Sequence, residues 1–312
     1  MVAERHGGGG SASRNGSVGA APRGDDVPRA PCQTGERDCA CCRGLIASAR
    51  PRTACTRRRA DAHRASAGEW QDTSTAVIKG RTAHLVSGNV FGPLTPTGET
   101  APLSKVEILV PVQPTKILAI GINYRSHEGD RVAPSIPQAF LKGPNTLVAH
   151  GQSIVLPADS TNVHMEADVV AVIGKRAKNI TEDEVDDIVF GYTAGNDVSG
   201  RDWQRDDLQW LRAKGSDTFG AVGPWIETSL KPDKIGLTGR ISGRVQQQSD
   251  TSLLIHSIRK CVARLSRYVT LERGDLIYTG TPGTTAEITA GDVCEVEVEG
   301  VGILSNPVIR AE

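Results

Sequence analysis

The segment 164–174, HMEADVVAVIG, constrains the fold of this chain more than any other stretch. Its apolar run VVAVI predicts a buried strand, which the following glycine ends. Glu166 and Asp168 lie two residues apart just before this run, so on a strand both side chains point to one face, with Cα atoms roughly 6.5–7 Å apart. Two carboxylates at that spacing can reach one hard cation. An exposed edge strand with ordinary solvated acids is the alternative that these residues leave open.

Length, charge and cysteine usage exclude several classes of protein. The 312 residues can form one large domain or two small ones. With 36 basic and 36 acidic residues, the chain is not expected to bind nucleic acid or another polyanion. No apolar run is long enough for a membrane span or resembles a secretory signal, and an odd cysteine count is not a disulfide framework. We therefore expect a soluble cytoplasmic protein with no membrane partner.

Residues 1–75 differ in composition from the rest of the chain. They are rich in Gly, Ser, Ala and Arg and contain almost no large apolar residues, so they cannot bury enough surface to offset the entropy of ordering. We predict a disordered extension. An organelle presequence or an upstream region translated from a wrong start codon would have a similar composition. A zinc site is a further alternative, although the spacing fits no regular finger; its ligands would be Cys39, Cys41, Cys42 and Cys55 with His6 or His63.

From residue 76 onwards, short apolar segments alternate with Gly and Pro, which is typical of strands and turns. Residues 76–112 are predicted to form a small N-terminal β subdomain, with a turn at 95–98, and residues 113–312 the main domain. A capping box formed by Thr181 and Glu184 predicts a helix over 181–190, and near-helical apolar spacing predicts another over 252–268. Strands outnumber helices without strict βαβ alternation, which indicates a mainly β, α+β fold. The predicted strands are 77–78, 84–86, 106–110, 116–122, 139–141, 153–156, 165–173, 192–197, 225–227, 275–279, 293–298 and 302–304.

Five motifs follow one another in the main domain. They are NYRSH (123–127), the segment with Glu166 and Asp168, NDVSGRDWQ (196–204), KGSDTFGAVGPW (214–225) and GDLIYTGTPG (274–283). Together they resemble the fumarylacetoacetate hydrolase family, in particular its 2-hydroxyhepta-2,4-diene-1,7-dioate isomerase and acylpyruvase-like branch. The resemblance extends from about Lys116 to the C-terminus. It implies the C-terminal fold of that family, a mixed β-sheet roll or sandwich with few helices.

The resemblance also assigns roles to individual residues. Glu166, Asp168 and Asp197 match the three carboxylate ligands of Mg²⁺ or Mn²⁺, which prefer oxygen donors. His127 matches the catalytic histidine and Asp130 its acidic partner, which together would activate a water molecule. Lys214 matches a lysine suited to stabilising an oxyanion or enolate. His164 could be a fourth metal ligand or a neighbour of the ligands. The residues that match substrate-binding positions are Tyr124, Arg201, Gln204 and Thr281.

The implied reaction is hydrolysis of a C–C bond in an acylpyruvate- or fumarylpyruvate-type 2-oxo diacid. Two alternatives stay open: a metal-dependent decarboxylase or isomerase of 2-oxo or 2-hydroxy-dienoic diacids, acting on oxaloacetate or in aromatic catabolism of the homoprotocatechuate type, and a non-catalytic metal-binding relative. The family usually carries Glu where this chain has Asp130 and Asp168, each one methylene shorter. The resemblance further implies a homodimer.

Overall fold

The computed structural model describes residues 44–51, 74–127 and 132–312, which lie within one compact unit, 40–312. The described residues form twenty strands and four short helices, with a few single turns of 3₁₀ helix. The strands are β1 Leu45–Pro51, β2 Ser74–Lys79, β3 Thr82–Gly88, β4 Leu94–Pro102, β5 Val106–Leu109, β6 Ile117–Gly121, β7 Gln138–Lys142, β8 Leu147–Val148, β9 Ile154–Leu156, β10 Val163–Met165, β11 Ala167–Ile173, β12 Val189–Asp197, β13 Ser199–Gly200, β14 Gly220–Glu227, β15 Gly236–Ile241, β16 Arg244–Asp250, β17 Leu276–Tyr278, β18 Ala286–Glu287, β19 Val293–Val298 and β20 Gly302–Arg310. The helices are α1 Val185–Ile188, α2 Arg201–Gln204, α3 Leu211–Gly215 and α4 Ile258–Ser266.

Most of these strands belong to one large mixed sheet. Its order is β4-β3-β2-β1-β14-β12-β11-β17-β6-β7, while β5 pairs with β1 and β8 with β14. A second sheet has the order β16-β15-β19-β20-β9, and β13-β10-β18 form a small third sheet. Antiparallel pairs dominate, and the parallel pairs are β6 with β17, β8 with β14 and β9 with β20. The mainly β class predicted from the sequence is confirmed.

The paired strands β11 and β12 form the centre of the large sheet. Every residue of β11 is buried, as its apolar run predicts. The register pairs Asp168 with Gly195, so the acidic end of β11 lies beside the end of β12 that carries Asp197. A Cβ atom on Gly195 would lie 2.4 Å from Val170 Cγ2, so only glycine fits this pairing without rearrangement. The close packing of these two strands fixes the relative positions of their carboxylates.

The structure corrects the prediction for the N-terminal segment. Residues 45–51 form β1, which pairs with β2, β5 and β14 and therefore joins the strands of the N-terminal subdomain to the main sheet. The sequence conceals this strand because its only large apolar residues, Leu45 and Ile46, are adjacent and the rest of LIASARP shows no alternating pattern. The other parts of 1–75, apart from Gly44 and the start of β2, lie outside the described residues, as do the proposed zinc ligands. The predicted turn at 95–98 is also wrong, since these residues lie within β4.

Both predicted helices are present but shorter than the patterns indicate. Glu184 accepts a hydrogen bond from the Thr181 backbone N–H at 2.8 Å, which confirms the capping box, but α1 ends at Ile188 and β12 begins directly after it. The second pattern divides into a 3₁₀ turn and α4, with Ser257 as the N-cap residue. None of the helices in the described residues has the length and apolarity to span a bilayer.

Candidate active site

Three acidic side chains converge from neighbouring strands. Glu166 lies between β10 and β11, Asp168 is the second residue of β11 and Asp197 ends β12. Two hydrogen bonds tie these strand ends together: the Asp197 N–H donates to the Glu166 carbonyl, and the Glu166 N–H donates to the Asn196 side chain, both at 2.9 Å. All three acids are buried, with at most 6% of the residue surface exposed. Such a cluster requires compensation by cations or protons.

Two buried lysines provide part of that compensation. The Lys214 ammonium on α3 lies 2.7 Å from Glu166 Oε2 and 2.7 Å from Asp197 Oδ2. Lys142, at the end of β7, lies 2.7 Å from Asp197 Oδ1 and also donates to the Lys214 carbonyl oxygen. Burial lowers the pKa of Lys142, and the charge of Asp197 acts in the opposite direction. Lys142 therefore fixes both Asp197 and the backbone that carries Lys214.

Arg201 supplies the third cation, at the start of α2. Its guanidinium donates to Glu166 Oε1, to Gln204 Oε1 at 2.7 Å and to Thr285 Oγ1 at 2.8 Å. His164 contacts the same threonine, with its Nδ1 2.8 Å from Thr285 Oγ1. His164 is thus tied to a side chain that Arg201 also holds, which places it beside the carboxylate cluster.

His127 lies next to the carboxylates, in a single 3₁₀ turn after β6. Its Nδ1 is 2.6 Å from the Gly283 carbonyl oxygen. A carbonyl oxygen only accepts, so Nδ1 carries the hydrogen in this contact, and in the neutral ring Nε2 is the proton acceptor. Nε2 lies 3.9 Å from Glu166 Oε1. The predicted partner Asp130 lies outside the described residues.

The surroundings shift the pKa values of Glu166 and Asp168 in opposite directions. Burial would raise the pKa of Glu166, but the nearby cations Lys214 and Arg201 hold it below its ordinary value. Burial, together with the charges of Asp197 and Glu166, raises the pKa of Asp168 well above its ordinary value. One oxygen of Asp168 accepts the Gly280 N–H at 2.7 Å, while its Oδ1 is buried without a partner among the described residues. Asp168 is the acid for which the cluster provides the least compensation.

The three acids are the residues that the sequence predicts to hold a divalent cation. In residues 44–51, 74–127 and 132–312, no three His, Cys, Asp or Glu side chains form a ready-made metal site. Glu166 and Asp197 are instead bridged by Lys214. The donor chemistry nevertheless fits Mg²⁺ or Mn²⁺, because all three acids offer oxygen and the unpartnered Asp168 Oδ1 requires a cation, a proton or water. Glu166, Asp168 and Asp197 are the residues that would hold the ion.

A cavity of about 150 Å³ opens beside the cluster. Of the predicted substrate-binding residues, Arg201, Gln204 and Thr281 line it, as do His127 and Lys214. Thr281 is held by Gln247, whose amide donates to its hydroxyl at 2.7 Å. Tyr124 is not in the cavity wall: it is buried, its hydroxyl has no partner among the described residues, and burial raises its pKa.

The sequence did not identify several residues of this site. Lys142 lies in the edge strand β7, and its sequence, QAFLK, does not distinguish it from an ordinary solvated lysine. The β6–β7 register, which pairs Lys142 with Ile117, directs it inwards. The Phe140 and Trp210 rings pack edge to face, with centroids 5.1 Å apart, at the cavity wall. The residues that were not identified include Gln138, Phe140, Lys142 and Trp210.

Comparison with known proteins identifies relatives of most of the chain from residue 69 onwards. Residues 116–309 match the family described as fumarylacetoacetate (FAA) hydrolase C-terminal, and residues 69–111 match Rv2993c-like, N-terminal. The chain is 42% identical over 234 residues to Protein Rv2993c of Mycobacterium tuberculosis, covering 73% of this chain and 88% of that protein. It is 37% identical to the mitochondrial oxaloacetate tautomerase fahd2 of Xenopus laevis, covering 66% and 69% of the two chains.

A solved structure with the same fold is that of 5-carboxymethyl-2-hydroxymuconate delta-isomerase from Mycobacterium smegmatis. The two chains are 36% identical and superimpose with a TM-score of 0.75 over 86% of this chain and all of the other. The family match, the shared fold and the ordered motifs agree with one another. This protein belongs to the fumarylacetoacetate hydrolase family of enzymes.

Proposed function

We propose that the protein is an isomerase or tautomerase that moves a proton within a small 2-oxo or 2-hydroxy-dienoic diacid. Relatives at 35–37% identity are described as an oxaloacetate tautomerase and as isomerases of hydroxymuconate- and heptadienedioate-type compounds. These relatives favour the isomerase alternative over C–C bond hydrolysis, the first interpretation of the sequence.

The observation that carries the proposal is the orientation of His127. The Gly283 carbonyl holds Nδ1, and Nε2 lies on the side of Glu166, in the wall of the cavity. A single base in this position can remove a proton from the carbon next to a carbonyl group and return it to another atom of the same molecule. Isomerisation therefore needs one base in contact with the substrate, and His127 is the residue proposed for that role.

The cations in the cavity wall complete the requirements for such a reaction. Lys214 and Arg201 can stabilise the negative charge of an enolate and the carboxylates of a diacid. A Mg²⁺ or Mn²⁺ ion on Glu166, Asp168 and Asp197 would supply Lewis-acid polarisation of the 2-oxo group. Gln204 is held by Arg201 and offers a further polar contact in the cavity. The site therefore suits a short, doubly charged substrate.

Hydrolysis demands more of the site than proton transfer does. A water molecule must be placed and activated as well as the enolate stabilised, and Asp130 is the residue predicted to assist His127 in that step. The relatives described as isomerases and a tautomerase therefore support isomerisation first, and hydrolysis and decarboxylation are the other outcomes of the test.

The test compares the three reactions with one purified protein, with Mg²⁺, with Mn²⁺ and with EDTA. Oxaloacetate and 5-carboxymethyl-2-hydroxymuconate are followed for loss of enol or dienol absorbance, while CO₂ release and acylpyruvate cleavage are measured in parallel. We expect metal-dependent interconversion without stoichiometric CO₂ release or cleavage. Rapid acylpyruvate cleavage would instead establish the hydrolase, and CO₂ release matching oxaloacetate loss would establish the decarboxylase.

His127→Gln tests the proposed base directly. Removing a general base is expected to lower kcat by about 10²–10⁴-fold, measured as enol interconversion. His84→Gln on β3, outside the site, is the matched control and should retain wild-type kcat. Wild-type turnover by the His127 variant would assign the proton transfer to another group.

A further inference from the structure

Gln247 is a buried polar residue on an edge strand whose other residues are exposed or half-buried. It lies on β16, in the second sheet, and is 2% exposed. The β15–β16 register pairs it with Gly239, where a Cβ atom would lie 3.2 Å from Gln247 Oε1 and 3.0 Å from Ala167 Cβ. The glycine therefore leaves room for the Gln247 side chain to pass over β15 and reach the start of β11.

The amide of Gln247 joins two segments of the candidate active site. Its oxygen accepts the Ala167 N–H at 2.9 Å, and its NH₂ group donates to Thr281 Oγ1 at 2.7 Å and to the Pro282 carbonyl oxygen at 2.6 Å. A backbone N–H requires the amide oxygen and a carbonyl oxygen requires the amide NH₂, so these partners determine one orientation of the amide. Gln247 thus holds Thr281 and Pro282 in place relative to the start of β11.

The segment that Gln247 holds leads directly to the residue that orients His127. The Gly283 carbonyl oxygen lies 2.6 Å from His127 Nδ1, and the Gly283 N–H donates to Ser126 Oγ at 3.0 Å. Gly283 has a φ of +63°, and glycine adopts many other backbone conformations as readily, so the local chain alone does not hold it there. The position of both backbone groups therefore depends on contacts made by the preceding residues, which include those with Gln247.

We propose that Gln247 is a positioning residue for His127: it holds residues 281–283 where the Gly283 carbonyl keeps the hydrogen on Nδ1 and leaves Nε2 as the proton acceptor. This inference rests on the role of His127 in the proposed function. Catalytic groups must be held close to their productive geometry by buried hydrogen bonds around them, and a displacement of about 1 Å can cost about 10²-fold in rate. A purely structural role for Gln247 would lower stability and leave the tautomer of His127 unchanged.

The first experiment compares Gln247→Met, which removes all three hydrogen bonds, with Gln248→Met. Gln248 is the matched control because it is the same type of residue, follows on the same strand and is exposed. With Mg²⁺ present, we expect Gln247→Met to lower kcat for enol interconversion of oxaloacetate by about 10–10²-fold and the control to keep the wild-type value. Wild-type kcat in a folded Gln247 variant would overturn the proposal.

The tautomer of His127 provides a readout that does not depend on the reaction. Long-range ¹H–¹⁵N spectra of protein labelled at the histidine nitrogens distinguish Nδ1–H from Nε2–H rings, and the His127 signals are those absent from His127→Gln. At a pH where the ring is neutral, wild type should show the Nδ1–H form and Gln247→Met a mixture. An unchanged tautomer would overturn the proposal even in a less stable variant. A mixture, with no isomerisation by wild type, would support the positioning role and reject the proposed function.

Gln247→Asn tests the reach of the side chain. It keeps the amide but is one methylene shorter, so it cannot bond the Ala167 N–H and the Pro282 carbonyl together. We expect a mixture of His127 tautomers and a kcat between those of wild type and Gln247→Met. A fully wild-type tautomer in the Asn variant would contradict the proposal. If neither variant folds, Gln247 serves the stability of the fold and the positioning role is rejected.

Discussion

Two ion clusters of this protein share one plan and differ in their surroundings. In the active-site cluster, Lys214 bridges Glu166 and Asp197, 2.7 Å from each, and its side chain is 2% exposed. In the surface cluster, Arg259 on α4 bridges Asp186 on α1 and Asp233, and the Asp233 side chain is 67% exposed. Each cluster places one cation between two acids.

Burial changes how strongly the charges of an ion pair depend on one another. In the surface cluster, water and salt screen every charge, so its contribution is small and consists mainly of linking α1 to α4. In the active-site cluster, each charge depends on its neighbours, because removing one leaves the others buried and unpaired. Apolar side chains in the same place would stabilise the fold without the cost of removing charges from water. The buried cluster is therefore best explained by the chemistry of the site and not by stability.

Lys214→Met is expected to lower the free energy of unfolding more than any other single substitution in the two clusters. It leaves Glu166 and Asp197 without their shared partner, and breaking a buried pair typically costs about 3–5 kcal/mol. Urea unfolding at pH 7.5 with EDTA measures the loss. Adding Glu166→Gln to this variant should recover part of it, because one unpaired charge is removed. A loss below about 1 kcal/mol for the single variant would show that water reaches the cluster.

Asp168→Asn tests the acid that is least compensated. Because the folded-state pKa of Asp168 is raised, its contribution to stability is fully present below the unfolded value near 3.8 and is lost as pH rises through the folded value. The Asn variant lacks this loss and can still accept the Gly280 N–H. We expect its free energy of unfolding, relative to wild type, to increase from pH 4 to pH 8 in EDTA. A pH-independent difference between the two proteins would contradict the raised pKa.

Arg259→Met should have the smallest effect. Exposed ion pairs contribute about 0.2–1 kcal/mol, so the variant should lose no more than about that amount in urea unfolding. The loss should shrink in 1 M NaCl, where the Debye length is about 3 Å. The Lys214 variant, measured in the same salt, should keep most of its loss. Equal salt dependence of the two variants would remove the distinction between the clusters.

The sequence predicts much of the fold from local patterns. The apolar run of β11 and the capping box at Thr181 specify their elements through side chains that are adjacent along the chain. The ends of the elements are less well predicted. α1 ends two residues before the helical pattern does, because Val189 and Phe190 are the first residues of β12 and pair with neighbouring strands. β1 is missed altogether, since LIASARP has no alternating apolar pattern and its pairing with three other strands is what makes it a strand.

The motifs of the sequence specify which kinds of residue form the candidate site and in what order. The acids 166, 168 and 197, His127, Lys214 and the polar run from Arg201 can all be identified from them. Which of these residues come into contact depends on the packing of the strands. Tyr124 is buried in the interior, and Lys142 extends from an edge strand to pair with Asp197 in the cluster. The Gly283 carbonyl oxygen accepts a hydrogen bond from His127. The physical reason is that these contacts join residues 55 to 156 positions apart, and their geometry depends on strand register and burial, which no local pattern encodes.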